Sequence, residues 1–320
     1  MPSDLAERTP RLTVVVATRN RPRLLRDALA SLNDVLRAGD HVIVVDSASN
    51  EADAVSPADE MGAATLRCEL PGACRARNTG TEAAPTDLVA FMDDDCLPAP
   101  GWLDALSKAF SDAPGTQFVT GRILPEGGSS GRAQLGISLC VSEDPRTFGE
   151  GDDPSAMGHG ANMAWRRDAL LSLGGFDELM GPGARFRAAE DHDVFWRALR
   201  AGYTGAYVPT AVIKHRQWRN RRQQLRAYYA YGVGTGAFEV KRSRLDGRDS
   251  RATNAAPRAL SARSATARLA VTRARSLATN VVRGYQMGAA GDAFMLAGAV
   301  TGAAGAARVP VVDGHFSSRV

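Results

Sequence analysis

The chain has 320 residues, 44% hydrophobic and 23% charged, a globular balance that excludes a disordered or collagen-like protein. That length holds one large α/β domain plus an appendage, or two modest domains. The net charge of +4 hides an asymmetry: residues 241–320 carry 13 Lys/Arg against 4 Asp/Glu, which leaves the first 240 residues at −5. Such a basic tail suits an anionic surface, either a membrane or the protein's own acidic face; the competing reading is a solvated, Arg-rich helical surface.

Cys68, Cys74, Cys96 and Cys140 show neither CxxC spacing nor the His clustering of zinc sites, so a reducing compartment is expected. The opening MPSDLAERTPRL carries acidic residues and no apolar core, which is not a signal-peptide pattern. The expected location is the cytoplasm, with peripheral contact at the inner membrane face as the further expectation from the basic tail.

In chain order, Leu12–Ala17 (LTVVVA) is a continuous β-branched run of the kind buried parallel strands show. Thr18-Arg19-Asn20-Arg21-Pro22 then turns into a helix with Leu24, Leu25, Ala28, Leu29 and Leu32 at helical spacing. His41–Asp46 is a second strand, Ala73–Ala84 a helix, Asp87–Met92 a strand and Trp102–Phe110 a helix. Pro125–Pro154 is rich in Gly, Ser, Pro and Asp and reads as a long functional or flexible loop. Regular structure resumes near Gly160–Trp165, followed by helices at Arg166–Leu173 and Glu190–Ala201 and a strand at Gly205–Ile213. Lys214–Tyr231 reads as a basic, aromatic-bearing helix.

Beyond Lys241 the composition shifts to Arg, Ala and Ser. Arginines 258, 263, 268 and 273 recur every fifth residue, so they spread around a helix and argue against an amphipathic membrane helix. The apolar stretch Ala293–Ala307 falls short of the ~20 residues needed to span a bilayer and is studded with glycines, which suits a packed or dimerising helix.

Alternating strands and helices predict a doubly wound, mostly parallel sheet, whose ligands bind at the carboxyl ends of the strands. Thr18-Arg19-Asn20, Asp46 and Asp93-Asp94-Asp95 all sit at such ends, so they are expected in one crevice. Neither GxGxxG nor GxxxxGK[ST] follows the first strand, which excludes a dinucleotide or P-loop site there. Three adjacent carboxylates repel by ~4 kcal/mol per pair at about 4 Å and an effective dielectric of ~20. A divalent cation, Mg²⁺ or Mn²⁺, that also holds a diphosphate makes the cluster tolerable. Strand alternation would set Asp93 and Asp95 on one side and Asp94 on the other.

The blocks VVVATRNRPRLL, VIVVDSASN, GACRARNTGTEAA, LVAFMDDDCLPAPGWL, GANMAWRRDALLSLGGFDE and AEDHDVFWRALRAG, in that order, resemble the family 2 glycosyltransferases over roughly residues 10–235. That resemblance implies a GT-A type doubly wound, mostly parallel sheet with helices on both faces, here with a C-terminal helical extension. The domain reading is a disordered 1–9, a GT-A domain over 10–235 with the 125–155 loop, and a basic, Ala/Gly-rich helical 236–320. The implied activity is inverting sugar transfer from a nucleotide-diphosphate sugar, UDP- or dTDP-type favoured, to an acceptor hydroxyl, as in cell-envelope or secondary-metabolite glycan synthesis. The acceptor is a sugar, a lipid-linked molecule or a small molecule, and nucleic acid is not an expected partner.

Carried over position by position, Ala17, Thr18, Arg19, Asn20 and Asp46 surround base and ribose, and Arg75, Arg77 and Asn78 meet the nucleotide and diphosphate. Asp93 and Asp94 join the nucleotide-sugar contacts, with Asp95, Asp93 and His215 as metal ligands. Asp191 is the general base, whose helical position sets it nearly opposite Asp193. Asn162, Trp165 and Glu190 face the acceptor, although Trp165 equally suits a core. The alternatives are a sugar-nucleotidyltransferase, which would carry a Gly-rich loop after the first strand, and a non-catalytic nucleotide- or nucleic-acid-binding protein.

Overall fold

The computed structural model describes residues 9–51, 53–126, 138–252 and 286–317. Residues 1–8, the 127–137 part of the expected loop, and Arg258, Arg263, Arg268 and Arg273 lie outside them. Contacts divide the chain into two compact units, one of Met1–Phe176 with Asp191–Gln217 and one of Asp177–Glu190 with Trp218–Val320.

The first unit is built on a mixed nine-stranded sheet. Its strands are β1 (Leu12–Thr18), β2 (His41–Ser47), β3 (Ala64–Cys68), β4 (Leu88–Asp93), β5 (Cys96–Pro98), β6 (Thr116–Pro125), β7 (Arg146–Phe148), β8 (Asn162–Arg166) and β9 (Thr204–His215). The order is β3-β2-β1-β4-β8-β6-β9-β5, with β7 also on β9. The β3-β2-β1-β4 side is parallel, and β8 enters antiparallel to both β4 and β6. Helices α1 (Pro22–Asn33), α2 (Ser56–Met61), α3 (Ala73–Ala83), α4 (Trp102–Asp112), α5 (Arg167–Ser172) and α6 (Glu190–Arg200) complete the α/β alternation.

Both faces of the sheet are buried, which explains the unbroken apolar runs. Val14 and Val16 of β1 join one core with Leu25, Leu29, Trp102 and Phe110, while Val15 joins the other with Phe91, Phe118, Trp165 and Phe195. Proline opens α1, where its missing N–H costs nothing, and Leu25, Ala28, Leu29 and Leu32 form its buried stripe. Helix α3 lies so close to β1 that a Cβ on Gly80 would stand 2.4 Å from Val15 Cγ1. Only glycine permits that approach, which seats the helix carrying Arg77.

Two expectations are corrected. Lys214 and His215 extend β9 rather than open a helix: they pair with Leu124 and Pro125 on one side and with Leu97 and Cys96 on the other. The helix expected there begins at Arg221. The alternation expected across the acidic triplet also fails, because β4 ends at Asp93 and Asp94-Asp95 form a turn.

In the second unit, α7 (Arg221–Ala252) packs on α8 (Gln286–Ala306), followed by a hairpin of β10 (Val311–Val312) and β11 (His315–Phe316). Glycines form the helix contact. A Cβ on Gly236 would lie 2.1 Å from the Ala299 carbonyl oxygen, and one on Gly302 would lie 1.9 Å from that of Val233. Arg244 donates to the Ala306 and Val309 carbonyls at 3.1 and 2.8 Å, capping the end of α8. The fully buried Lys241 donates to Asp177 at 2.7 Å, and the same carboxylate oxygen accepts from Phe316 N. Among the described residues, no helix is long and apolar enough to cross a membrane.

Candidate active site

Parallel pairing brings the strand ends together. Thr18 is in register with Asp46 and Ala17 with Asp93, so the sequence-predicted carboxylates and the β1 turn share one edge. Thr18 Oγ1 donates to Asp94 at 2.8 Å. Asn20, at a positive φ of 53°, accepts from Asn50 N and donates its own N–H to Ser49, tying the β1 and β2 turns together. Arg19 is exposed and contacts the Ala48 carbonyl.

Asp46 accepts from Ser49 N at 2.9 Å and forms an ion pair with Arg67 of β3. A cleft of 460 Å³ opens here, lined by Asp46, Ser49, Asn50, Thr65, Leu66 and Arg67 among others. The lining of this cleft carries both an acceptor, Asp46, and a set of planar donors, Arg67, which suits the polar edge of a nucleobase.

The triplet does not stand alone. Arg21 lies 2.9 Å from Asp94 and 3.8 Å from Asp95, and Arg77, almost fully buried, lies 2.9 Å from Asp93. The chain therefore pairs much of the cluster with its own guanidinium groups, alongside any cation. Burial and the Asp95 charge still outweigh Arg21 and Thr18 at Asp94, whose carboxyl is pushed up to about 6. Arg21 is raised: burial opposes its charge, but Asp94 and Asp95 overcome that.

Asp95, Cys96 and His215 offer ligand atoms within 4.8 Å of one another, with His215 Nε2 at 3.4 Å from Asp95 Oδ1. All three are buried. Burial and the three carboxylates hold the Cys96 thiol well above its usual range. A carboxylate beside an imidazole whose Nδ1 is engaged by Gln217 fits a divalent cation. Asp93 is not part of this group; its carboxylate is engaged by Arg77.

The predicted base lies at the start of α6. Asp191 Oδ2 accepts from Gly160 N at 3.1 Å and Oδ1 from His192 N at 2.9 Å. Gly160 is also packed on Arg77, since a Cβ there would stand 3.3 Å from its guanidinium. A continuous set of contacts thus runs from Asp93 through Arg77 and Gly160 to Asp191. Asp193 points elsewhere, fully buried and 2.9 Å from Arg197.

Several predicted contacts serve the fold instead. Asn162 is fully buried and spends its amide on Trp102 Nε1 and on the Arg122 and Ala211 carbonyls. Trp165 is fully buried, stacked on Phe118 at 4.9 Å, with no face open to an acceptor. Asn78 clamps both backbone groups of Phe176. Arg75 contacts the Pro71 carbonyl at the head of its own helix, and Glu190 is buried at the first position of α6. Arg21, Arg67, His159 and His192 escaped the sequence reading. For Arg21 the available signal was an uncompensated acidic cluster on the neighbouring strand end.

Residues 13–174 match the family model described as glycosyl transferase family 2. The chain belongs to that family. It is 34% identical over 258 residues to a pre-mycofactocin glycosyltransferase of Mycobacterium tuberculosis, a match covering 72% of this chain and 48% of the relative. It is 31% identical over 189 residues to a glucosyl-dolichyl phosphate glucuronosyltransferase of Haloferax volcanii, covering 56% and 60%. The chain thus spans about half the length of the curated relatives it matches.

Among solved structures, a mannosyltransferase from Pyrobaculum calidifontis in complex with GDP-Man and Mn²⁺ superposes with a TM-score of 0.61 at 22% identity, over 92% of this chain and 87% of that one. GalNAc-T7 with UDP, GalNAc and Mn²⁺ gives 0.52 at 15% identity, over 74% and 51%. This family 2 chain therefore has the GT-A type of α/β fold.

Proposed function

We propose that this family 2 chain transfers a sugar from a nucleoside-diphosphate sugar to an acceptor hydroxyl, with inversion and with Asp191 as the base. The observation that carries the reading is the double role of Gly160, whose N–H binds Asp191 while its α-carbon rests on the Arg77 that holds Asp93. A base and a phosphate-type cation, from α6 and α3, thereby meet at one glycine. Family membership supports the reaction class, and the Mn²⁺ named with two structural neighbours supports a metal.

Asp95 and His215 would hold the divalent cation, which when bound would neutralise charge on the departing diphosphate. Their mixed oxygen and nitrogen donors favour Mn²⁺ over Mg²⁺, which prefers oxygen and water. The chain's own residues then do the following. Asp46 and Arg67 receive the base edge. Arg77 offers planar, permanently charged donors to phosphate oxygens. Asp191 takes the proton from the attacking hydroxyl as that oxygen displaces the nucleoside diphosphate from the opposite face of the anomeric carbon. General-base assistance of this kind is typically worth ~10²–10⁴ in rate.

Asp191→Asn tests the assignment. It is expected to bind UDP or GDP in the presence of Mn²⁺ as the wild type does while losing turnover of the corresponding donor sugar. Undiminished turnover would move the base to another residue. A purely binding protein would show no donor consumption in either form.

A further inference from the structure

The surroundings of Asp191 are unusual for a base. Both its oxygens already accept a peptide N–H, and two imidazoles flank them, His159 Nδ1 at 3.7 Å from Oδ2 and His192 Nε2 at 3.9 Å from Oδ1. A carboxylate that already accepts two peptide N–H bonds is stabilised as the anion and keeps a captured proton poorly, whereas base catalysis works best when the acceptor's affinity is matched to the working pH. The captured proton therefore needs a second station.

We propose that His159 is that station, the relay partner of Asp191, so that the proton from the acceptor hydroxyl crosses Asp191 Oδ2 and comes to rest on His159 Nδ1. The proposal rests on the reading of Asp191 as the base. In the balanced step the acceptor O–H bond breaks and its oxygen bonds to the anomeric carbon. The carbon–oxygen bond to the diphosphate breaks with its electron pair on the phosphate oxygen, and the proton passes to a neutral imidazole. His159 then gives it to water, for its side chain is 31% exposed against 13% for Asp191.

His159 suits the task better than His192. Its Nδ1 faces the oxygen that Gly160 also binds, and it approaches from a different chain segment, the one entering β8. His192 is the next residue of α6 and less exposed, at 20%. The separation of 3.7 Å needs a closure of ~1 Å when substrate binds, a tightening common at catalytic hydrogen bonds. Among the described residues, His192 also borders Asp191, and Arg77 lies across Gly160.

The test uses the full chain with UDP-glucose and GDP-mannose as donors and water as acceptor, following whichever donor the wild type hydrolyses. His159→Asn is expected to lower kcat by about 10-fold or more with the donor KM unchanged. It should also remove the acidic limb of the kcat–pH profile, which His192→Asn should retain. In His159→Ala, added imidazole should restore part of kcat. A substrate-free measurement stands beside these: only five histidines are present, so the His159 ring proton titration is accessible by NMR. That titration should move to lower pH in Asp191→Asn, since loss of a neighbouring carboxylate disfavours the imidazolium.

Wild-type kcat and pH profile in His159→Asn, alongside an inactive Asp191→Asn, would overturn the relay and leave the base standing. An unmoved His159 titration in Asp191→Asn would overturn the relay as well. Full turnover by Asp191→Asn would remove the base reading and the relay together.

Discussion

Arg21 donates to Asp94 at 2.9 Å, across the gap between the turn after β1 and the end of β4. This one contact changes the meaning of three adjacent carboxylates. With Arg77 on Asp93, the cluster is a ready-made lattice of charge pairs rather than bare repulsion. Substrate phosphate and cation would then enter a site whose charges are already partly paired, and would compete for partners there.

Asp94 gives a pH signature in the metal-free protein. Its folded carboxyl holds a proton up to about 6, above its ordinary 3.8, because burial and Asp95 outweigh Arg21. A raised folded value adds stability below the unfolded value, and that stability is lost as pH rises through about 6. Asp94→Asn, which keeps the neutral shape, is therefore expected to be the more stable protein at pH 8, by an amount on the order of 3 kcal/mol. The difference should fade towards pH 4; thermal midpoints of both proteins across pH, in chelator, check it.

Removing the cation ligands should separate metal from nucleotide. Asp95→Ala and His215→Ala are expected to abolish the gain in UDP or GDP affinity that Mn²⁺ gives the wild type, measured by calorimetry. Equal Mn²⁺ dependence in wild type and variants would place the cation elsewhere.

Trp165 should report on folding and not on the acceptor. It fills the core between Phe118 and Phe195, at ring distances of 4.9 and 6.0 Å. Trp165→Ala is expected to lose ~3–5 kcal/mol of unfolding free energy in denaturant titrations. A stable Trp165→Ala variant with weakened acceptor use alone would reverse this placement.

The glycine contact between α7 and α8 predicts a strong effect from a small side chain. Gly302→Val would drive Cβ into the Val233 carbonyl, and overpacking of this kind costs ~1–3 kcal/mol or more. Faster hydrogen exchange confined to α7 and α8, relative to Ala304→Val on the exposed side of α8, is the expected readout.

How much of this was legible depended on what each residue answers to. The runs LTVVVA and HVIVVD announced their strands because both sides of the sheet are buried there, so burial alone writes the pattern. Strand β3, ATLRC, sits at the sheet edge with most of its residues exposed and carries no such mark. Strand β6 hid behind Thr, Gly and Arg, whose partners come from β8 and β9 far along the chain. The placement of Asp46 and Asp93 near strand ends and of Asp191 at a helix start was readable from the strand and helix pattern. Arg21, Arg67 and His159 were not, since a long or flexible side chain declares its partner only once distant turns have been brought together. Asn162 and Trp165 show the converse, residues of functional type absorbed by internal hydrogen bonding and ring stacking.

The paired glycines of the helical hairpin carry one more implication. Where Gly232, Gly236, Gly298 and Gly302 meet opposing carbonyl oxygens, the backbones themselves are the mating surfaces. Sliding one helix by a single residue would bring a methyl or larger group against a carbonyl, so neighbouring alignments are closed off sterically. The hairpin is thereby keyed like a lock with one tooth position, and its alignment is set by what is missing from four side chains.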